Sequence, residues 1–217
     1  MLGKDVGLIE YSKKVDAANC VTHAVGAAMA AVGFFFLVMR ANGLRSIVSA
    51  VVFGLSLFAV YAVSSVYHGL PAGEAKRRAR LVDHSTVPVL FAGTATPCAL
   101  ITLWNISPKH CAVVLALGWG CTVFGIISKL FFFEKLKNVT VAVYIVSGIA
   151  MLATAVPLLG KINSDAFGGL LVGNALYLIG GAFCAIGRKK PTMHVVFHVL
   201  TVLGSAVHYF VICFYVM

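Results

Sequence analysis

Seven apolar runs dominate the sequence, and each is long enough to cross a membrane. They lie at about 18–39, 46–68, 82–103, 110–130, 138–159, 168–187 and 193–216. A helix needs roughly 20 apolar residues to cross the hydrocarbon core, where its backbone must satisfy its own hydrogen bonds. The runs therefore predict seven membrane-spanning helices in a single domain, because the short segments between them leave no room for a second one.

Composition excludes most other classes of protein. The 217 residues are 60% hydrophobic and only 11% charged, against about 25% charged in an ordinary soluble domain. So few charges do not cover the surface of a soluble enzyme. The net charge of +10 would suggest nucleic-acid binding in a soluble protein, but here the basic residues lie between apolar runs. We expect an all-α, multi-pass protein of the cell membrane, with lipids and not nucleic acid as its partners.

The basic residues also predict the orientation of the helices. Taken alternately, the segments that connect the runs carry thirteen Lys and Arg on one side and four on the other. Positively charged segments remain in the cytoplasm. The N-terminus is therefore predicted inside and the C-terminus outside, which requires the odd number of spans found. The basic segments are expected to lie at the surface, near the anionic lipids of the inner leaflet.

Ionisable side chains within the spans cluster at one depth. In this orientation the starts of the first, third and seventh spans and the end of the second lie at the cytoplasmic side. Ionisable groups inside a membrane are costly and usually functional. The side chains that share this level are His23, His68, Asp83, His84, His194 and His198.

Two of these histidines have the spacing of metal ligands. His194 and His198 stand four residues apart, so they lie on one helix face about 6 Å apart along the axis. Two imidazoles at this spacing can bind one metal ion, and His68 offers a third nitrogen. Three histidines with an open position are typical of catalytic zinc, which lowers the pKa of its bound water to about 7. The alternative is hydrogen bonding of these histidines to backbone or lipid phosphate.

Two further residues are candidates for the chemistry. Asp83 could orient or deprotonate a water molecule at the metal, or it could only cap the start of its helix. Ser64 stands one turn before His68 and could donate to a substrate carbonyl or to a developing oxyanion. Its alternative role is a hydrogen bond to its own helix.

The order of the polar motifs resembles the hemolysin III family. That family is the bacterial branch of the progestin and adipoQ receptor group, which includes the adiponectin receptors. The resemblance covers about residues 10–216. Its motifs are Asn19-x-x-Thr22-His23, Ser64-x-x-Tyr67-His68, Asp83-His84, Ala92-Gly93-Thr94-x-Thr96-Pro97, His194-x-x-x-His198 and Gly204-Ser205-x-x-His208.

The resemblance implies a site as well as a fold. It implies seven helices with a cytoplasmic N-terminus and a zinc ion held by His68, His194 and His198. It places Asp83 opposite the zinc-bound water and Ser64 one turn before the first ligand. The wider superfamily resembles alkaline ceramidases, which implies hydrolysis of an amide or ester bond in a lipid.

Other functions remain open at this point. The metal could be structural in a non-enzymatic sensor or regulator of membrane homeostasis, and direct ligation by Asp83 would favour that reading because it closes the site. A pore-forming hemolysin is disfavoured, since no charge-lined path crosses the outer half of the bilayer. His84 is predicted to point away from the metal, and His208, about 15 Å deeper than His198, to be structural.

Overall fold

The computed structural model describes residues 6–217, which form seven helices long and apolar enough to cross a membrane. Every predicted span falls within one of them, so the prediction of an all-α seven-helix protein is confirmed. The helices are α1 (Lys13–Arg40), α2 (Leu44–Gly69), α3 (Glu74–Ile106), α4 (Pro108–Phe132), α5 (Lys137–Lys161), α6 (Ser164–Gly187) and α7 (Thr192–Val216).

Local sequence signals set several helix ends. Ser12 caps α1, where its Oγ accepts a hydrogen bond from the backbone N–H of Val15 at 3.4 Å. Asn163 caps α6 in the same way, accepting from the N–H of Ala166 at 2.8 Å. Such side chains satisfy backbone donors that have no partner within the helix. Gly43 turns the chain between α1 and α2 with a φ of 81°, a conformation that favours glycine.

The helices pack as neighbours around a core between α1, α2, α3 and α7. Helix α1 packs against α2 and α7, α2 against α3, and α3 against α4, whereas α5 packs mainly on α4 and α6 mainly on α7. Many Val, Ile and Phe side chains face outward, as expected where lipid is the solvent. The buried core includes Ala30, Leu37, Phe53, Leu57, Tyr61, Leu90 and Ile212.

Close packing of α2 on α3 brings the candidate residues of the two helices together. A Cβ on Gly93 of α3 would overlap the side chain of Ser56 on α2, so this approach requires glycine.

Two prolines interrupt the backbone hydrogen bonds of α3. Pro88 has no N–H to donate, and its carbonyl accepts a hydrogen bond from Thr122 Oγ1 at 2.7 Å. After Pro97 the helix widens into a π-helical turn over Cys98–Leu103, a common response to an interrupted hydrogen-bond ladder.

The structure corrects the expectation that the basic residues all lie at the surface. Helix α3 begins at Glu74, well before its apolar run, and its first turns pack into the protein. Lys76 and Arg80 on these turns are buried, and Lys129 near the end of α4 is buried as well. A role in setting the membrane topology does not explain why these three residues are buried inside the protein.

The predicted orientation is tested with reporter fusions. Because thirteen of the Lys and Arg residues lie on one side, we expect alkaline phosphatase fused after Met217 to be active and green fluorescent protein there to be dark. A fusion after Gly73, between α2 and α3, should give the opposite pattern. Fluorescence at Met217 with an inactive phosphatase would reverse the topology.

Candidate metal centre

Three histidines converge at the end of the bundle where α2 ends and α7 begins. His68, His194 and His198 each offer one nitrogen, and these atoms lie within 4.8 Å of one another. The two α7 rings are one turn apart, with centroids 4.7 Å from each other. His68 and His198 are only 3% and 1% exposed. The three imidazoles are therefore close enough to hold one metal ion.

The unpaired nitrogens of these histidines fit a metal ion. Within residues 6–217, Nε2 of His68 and Nδ1 of His198 are buried without a hydrogen-bond partner. A buried polar atom without a partner costs free energy, and coordination of a cation would remove that cost. Neutral imidazole is a common ligand of transition metals, zinc among them. The chemistry of the three donors therefore fits a divalent metal ion.

Asp16 of α1 holds the His68 ring in place. Its Oδ1 lies 2.9 Å from His68 Nδ1, and its Oδ2 accepts a hydrogen bond from Lys76 Nζ at 2.6 Å. An ionised carboxylate only accepts hydrogen bonds, so Nδ1 carries the proton and Nε2 presents its lone pair to the cluster. A carboxylate in this position commonly orients a metal-binding histidine. Lys76 also lies over the Tyr67 ring, 5.5 Å from its centroid.

Asp16 was not assigned a role in the sequence analysis, although a signal for it exists. The residue stands one turn before Asn19 at the start of the first span. Its position in the first span places this carboxylate at the same membrane depth as the histidines. Its contact with His68 depends on how α1 and α2 are rotated against each other, which the sequence does not specify.

Two aromatic contacts enclose the histidines. Tyr11, in the segment before α1, stacks on His194 with ring centroids 5.3 Å apart. Burial raises the pKa of the Tyr11 phenol well above its usual range, so this hydroxyl stays protonated at neutral pH. His23 stacks on His198 at 3.7 Å. The sequence position of His23 did not indicate a role. In the structure its ring packs on that of His198, a candidate ligand.

Asp83 of α3 is not one of the candidate metal ligands within residues 6–217. Of the residues that the structure describes, only the three histidines form a group that could share one ion. Ser64, buried one turn before His68, faces the Asp83 carboxylate. The reading of Asp83 as a helix cap is wrong, because α3 begins at Glu74 and Asp83 is in the helix interior.

The other two histidines within the spans lie away from the cluster. His84 packs edge-on against Phe133 with centroids 5.1 Å apart. His208 lies towards the opposite end of α7, where its Nε2 donates to the carbonyl oxygen of Leu170 at 3.2 Å. Both residues are therefore in the non-ligand positions that their spacing predicts.

Comparison with known proteins agrees with the motifs. The family described as "Haemolysin-III related" matches residues 11–209. The chain belongs to the hemolysin III family. Its seven helices and this membership make it a multi-pass protein of the plasma membrane, and the resemblance read from the motifs is confirmed.

Three relatives show how far the similarity extends. The chain is 31% identical over 212 residues to Hemolysin-3 of Bacillus cereus, covering 94% of this chain and 93% of the relative. It is 31% identical over 208 residues to the Hemolysin-3 homolog of Bacillus subtilis, covering 94% and 96%. It is also 26% identical over 201 residues to the human monocyte to macrophage differentiation factor, covering 90% and 82%. The family match over residues 11–209 spans the positions of all three cluster histidines.

The role of Asp16 is tested by measuring metal affinity. Asp16→Asn should weaken the binding of a divalent metal ion about 10- to 100-fold, the usual effect of removing a carboxylate that orients a ligand. Competition with a chromophoric chelator measures this affinity without any assay of activity. Asp165→Asn, which removes one exposed carboxylate from the start of α6, is the matched control. Equal metal affinity in the two variants would show that Asp16 does not contribute to metal binding.

Proposed function

We propose that this protein is a zinc-dependent hydrolase that cleaves an amide or ester bond in a membrane lipid. The observation that carries the proposal is the convergence of three imidazoles on one point, with a carboxylate beside them. Three protein nitrogens with an open position are the usual ligand set of catalytic zinc.

The metal would be held by His68, His194 and His198, with Asp16 fixing the first of them. Zinc suits three neutral imidazoles among the divalent ions available to a cell. When bound, it supplies a Lewis acid that polarises a carbonyl group and acidifies water. Tyr11 and His23 cover the imidazole rings and limit the access of bulk water.

Asp83 and Ser64 would carry the proton transfers and the charge of the reaction. A carboxylate oxygen of Asp83 takes a proton from the attacking water and passes it to the departing amine or alcohol. The Ser64 hydroxyl donates to the carbonyl oxygen as negative charge develops there. The two side chains face each other, so both can address one scissile bond. Asp16 already binds His68 and Lys76, which leaves Asp83 for the exchange of protons.

The position of the cluster supports a lipid substrate. The histidines lie at one end of the spanning helices, the level at which lipid headgroups join their acyl chains. The surrounding helices are apolar and face the hydrocarbon of the bilayer. A lipid amide or ester bond could therefore reach the cluster with its acyl chain still among apolar groups.

A second candidate is a structural metal in a non-enzymatic membrane regulator. An ion held by His68, His194 and His198 would link α2 to α7. The observation that favours a structural role is that His23 of α1 stacks on His198, so the same point would also join α1. The name hemolysin, printed for two relatives, suggests a third function, lysis through a pore. Tyr61 and Tyr177 both bind Ser205, near the middle of their helices, so these polar groups satisfy one another and do not line a path.

The first experiment is elemental analysis of the purified protein by mass spectrometry. We expect about one zinc per chain in the wild type and its loss in His194→Ala, because one of three ligands is gone. His110→Ala, which removes a histidine near the start of α4, should retain the metal. Absence of metal from the wild type would overturn the metal centre, and with it the proposed hydrolase.

The second experiment separates catalysis from structure. Zinc-loaded wild-type protein is assayed against fluorescent lipid amides and esters beside Asp83→Ala. The variant should keep its metal and lose activity by about 10²- to 10⁴-fold, the usual contribution of a general base. Asp165→Asn should behave as the wild type. Full turnover in Asp83→Ala would exclude the general base, and a metal-loaded wild type inactive on both lipid classes would favour the structural metal.

A further inference from the structure

Buried basic residues surround one aromatic ring at the connection between α4 and α5. The Arg80 guanidinium lies 5.2 Å from the centroid of Phe133, and Lys129 Nζ lies 5.1 Å from it. His84 packs against the same ring. Arg80 is 8% exposed and Lys129 7%. The charge of Arg188, at the end of α6, acts on both Lys129 and His84. We call the buried Arg80 and Lys129, together with the exposed Arg188, the basic cluster.

The basic cluster has no carboxylate partner within the described chain. Over residues 6–217, the ion pairs within 4.0 Å use Asp16, Glu74 and Glu134 as acids, and none of them involves Arg80, Lys129 or Arg188. Nε of Arg80 is buried and binds no acceptor in this part of the protein. Glu134, the acid nearest in sequence to Phe133, pairs with Lys137 at 2.9 Å.

The Phe133 ring alone does not compensate these charges. A cation above an aromatic ring is attracted to it, but this attraction is far smaller than the cost of withdrawing an unpaired ion from water. Two cations close to one ring also repel each other. The described part of the chain offers these cations no carboxylate, so a bound anion would stabilise the arrangement.

We propose that the basic cluster is a binding site for a phosphate group, carried either by a lipid or by free phosphate. Arginine presents a planar fork that matches phosphate oxygens, and lysine adds a compact charge. The early turns of α3 and the ends of α4 and α6 share the predicted cytoplasmic level, where lipid phosphates lie. Arg80 stands one turn before Asp83 on α3.

This site does not depend on the proposed hydrolase. Phosphate binding needs no turnover, so a protein without hydrolytic activity can bind the anion. Equally, a protein that hydrolyses an uncharged lipid can lack the site. The two proposals therefore fail separately, and the experiment measures binding alone.

The experiment uses the full-length protein in micelles of a phosphate-free glycoside detergent. Either phosphatidic acid in the micelle or inorganic phosphate in the buffer is titrated, and the thermal unfolding temperature and the binding isotherm are recorded. A response to phosphatidic acid alone assigns the site to a lipid headgroup, and a response to inorganic phosphate assigns it to free phosphate. Both results support the site. No stabilisation by either anion overturns it, and this measurement needs only the wild-type protein.

Charge-matched variants separate the site from general attraction of anions. Arg80→Gln and Lys129→Gln should each weaken binding by about tenfold or more, the expected result of losing one charge-assisted contact. Arg77→Gln removes the same charge from an exposed position on α3 and should leave the affinity unchanged. An equal loss in Arg77→Gln would show only surface electrostatics and overturn the proposal. Lys129→Gln decides the comparison if Arg80→Gln does not fold.

Asp5→Asn tests whether the chain itself supplies the counter-ion. Asp5 directly precedes Val6, which packs with Leu81 and Phe133, and it lies outside the described residues. On the proposal, Asp5→Asn binds phosphate with the affinity of the wild type. A gain in affinity of about tenfold or more would mean that the Asp5 carboxylate competes for the cluster, and the site would then be an internal ion pair.

Discussion

The carboxylate of Asp16 joins three helices at the level of the histidine cluster. It belongs to α1, accepts from His68 of α2 at 2.9 Å, and accepts from Lys76 of α3 at 2.6 Å. The ion pair of Asp16 and Lys76 is partly buried, and such a pair is more stable where its remaining hydrogen-bonding capacity is used. Here the second oxygen of Asp16 binds the imidazole. The same contact fixes which nitrogen of His68 faces His194 and His198 of α7. The geometry of the centre therefore depends on a residue that would not itself touch a metal.

The number of helices could be predicted from the sequence because the thickness of a membrane sets their length. Backbone groups cannot remain unsatisfied in hydrocarbon, so each apolar run of spanning length must be a helix. The grouping of His68, His194 and His198 was also predictable, because alternating topology assigns a depth to each residue. The start of α3 was not predictable in this way. Five of the seven residues from Glu74 to Arg80 are charged, and nothing in this composition shows that Lys76 and Arg80 are buried against other helices.

Contacts that depend on the rotation of one helix against another were beyond the sequence. Depth places Asp16 and His68 at one level, but only the packing of α1 on α2 decides that they meet. Tyr11 reaches His194 from a segment with no hydrophobic period to indicate its direction. Lys129 was counted among the charges that set topology, yet it lies above Phe133 in a buried position. A count of the Lys and Arg residues on each side of the membrane does not distinguish a buried side chain such as Lys129 from one in water.

Two carboxylates at this end of the bundle have different surroundings, and that difference assigns their roles. Asp16 is held by an imidazole and an ammonium group, so a change in its protonation would break two contacts at once. Asp83 faces the Ser64 hydroxyl, and the Arg80 charge acts on it from beyond ion-pair distance. A general base must be able to gain and lose a proton while its surroundings stay in place. In the proposed reaction Asp83 would meet that requirement and Asp16 would not, so the residue that orients the candidate ligand and the residue proposed to move the proton are separate.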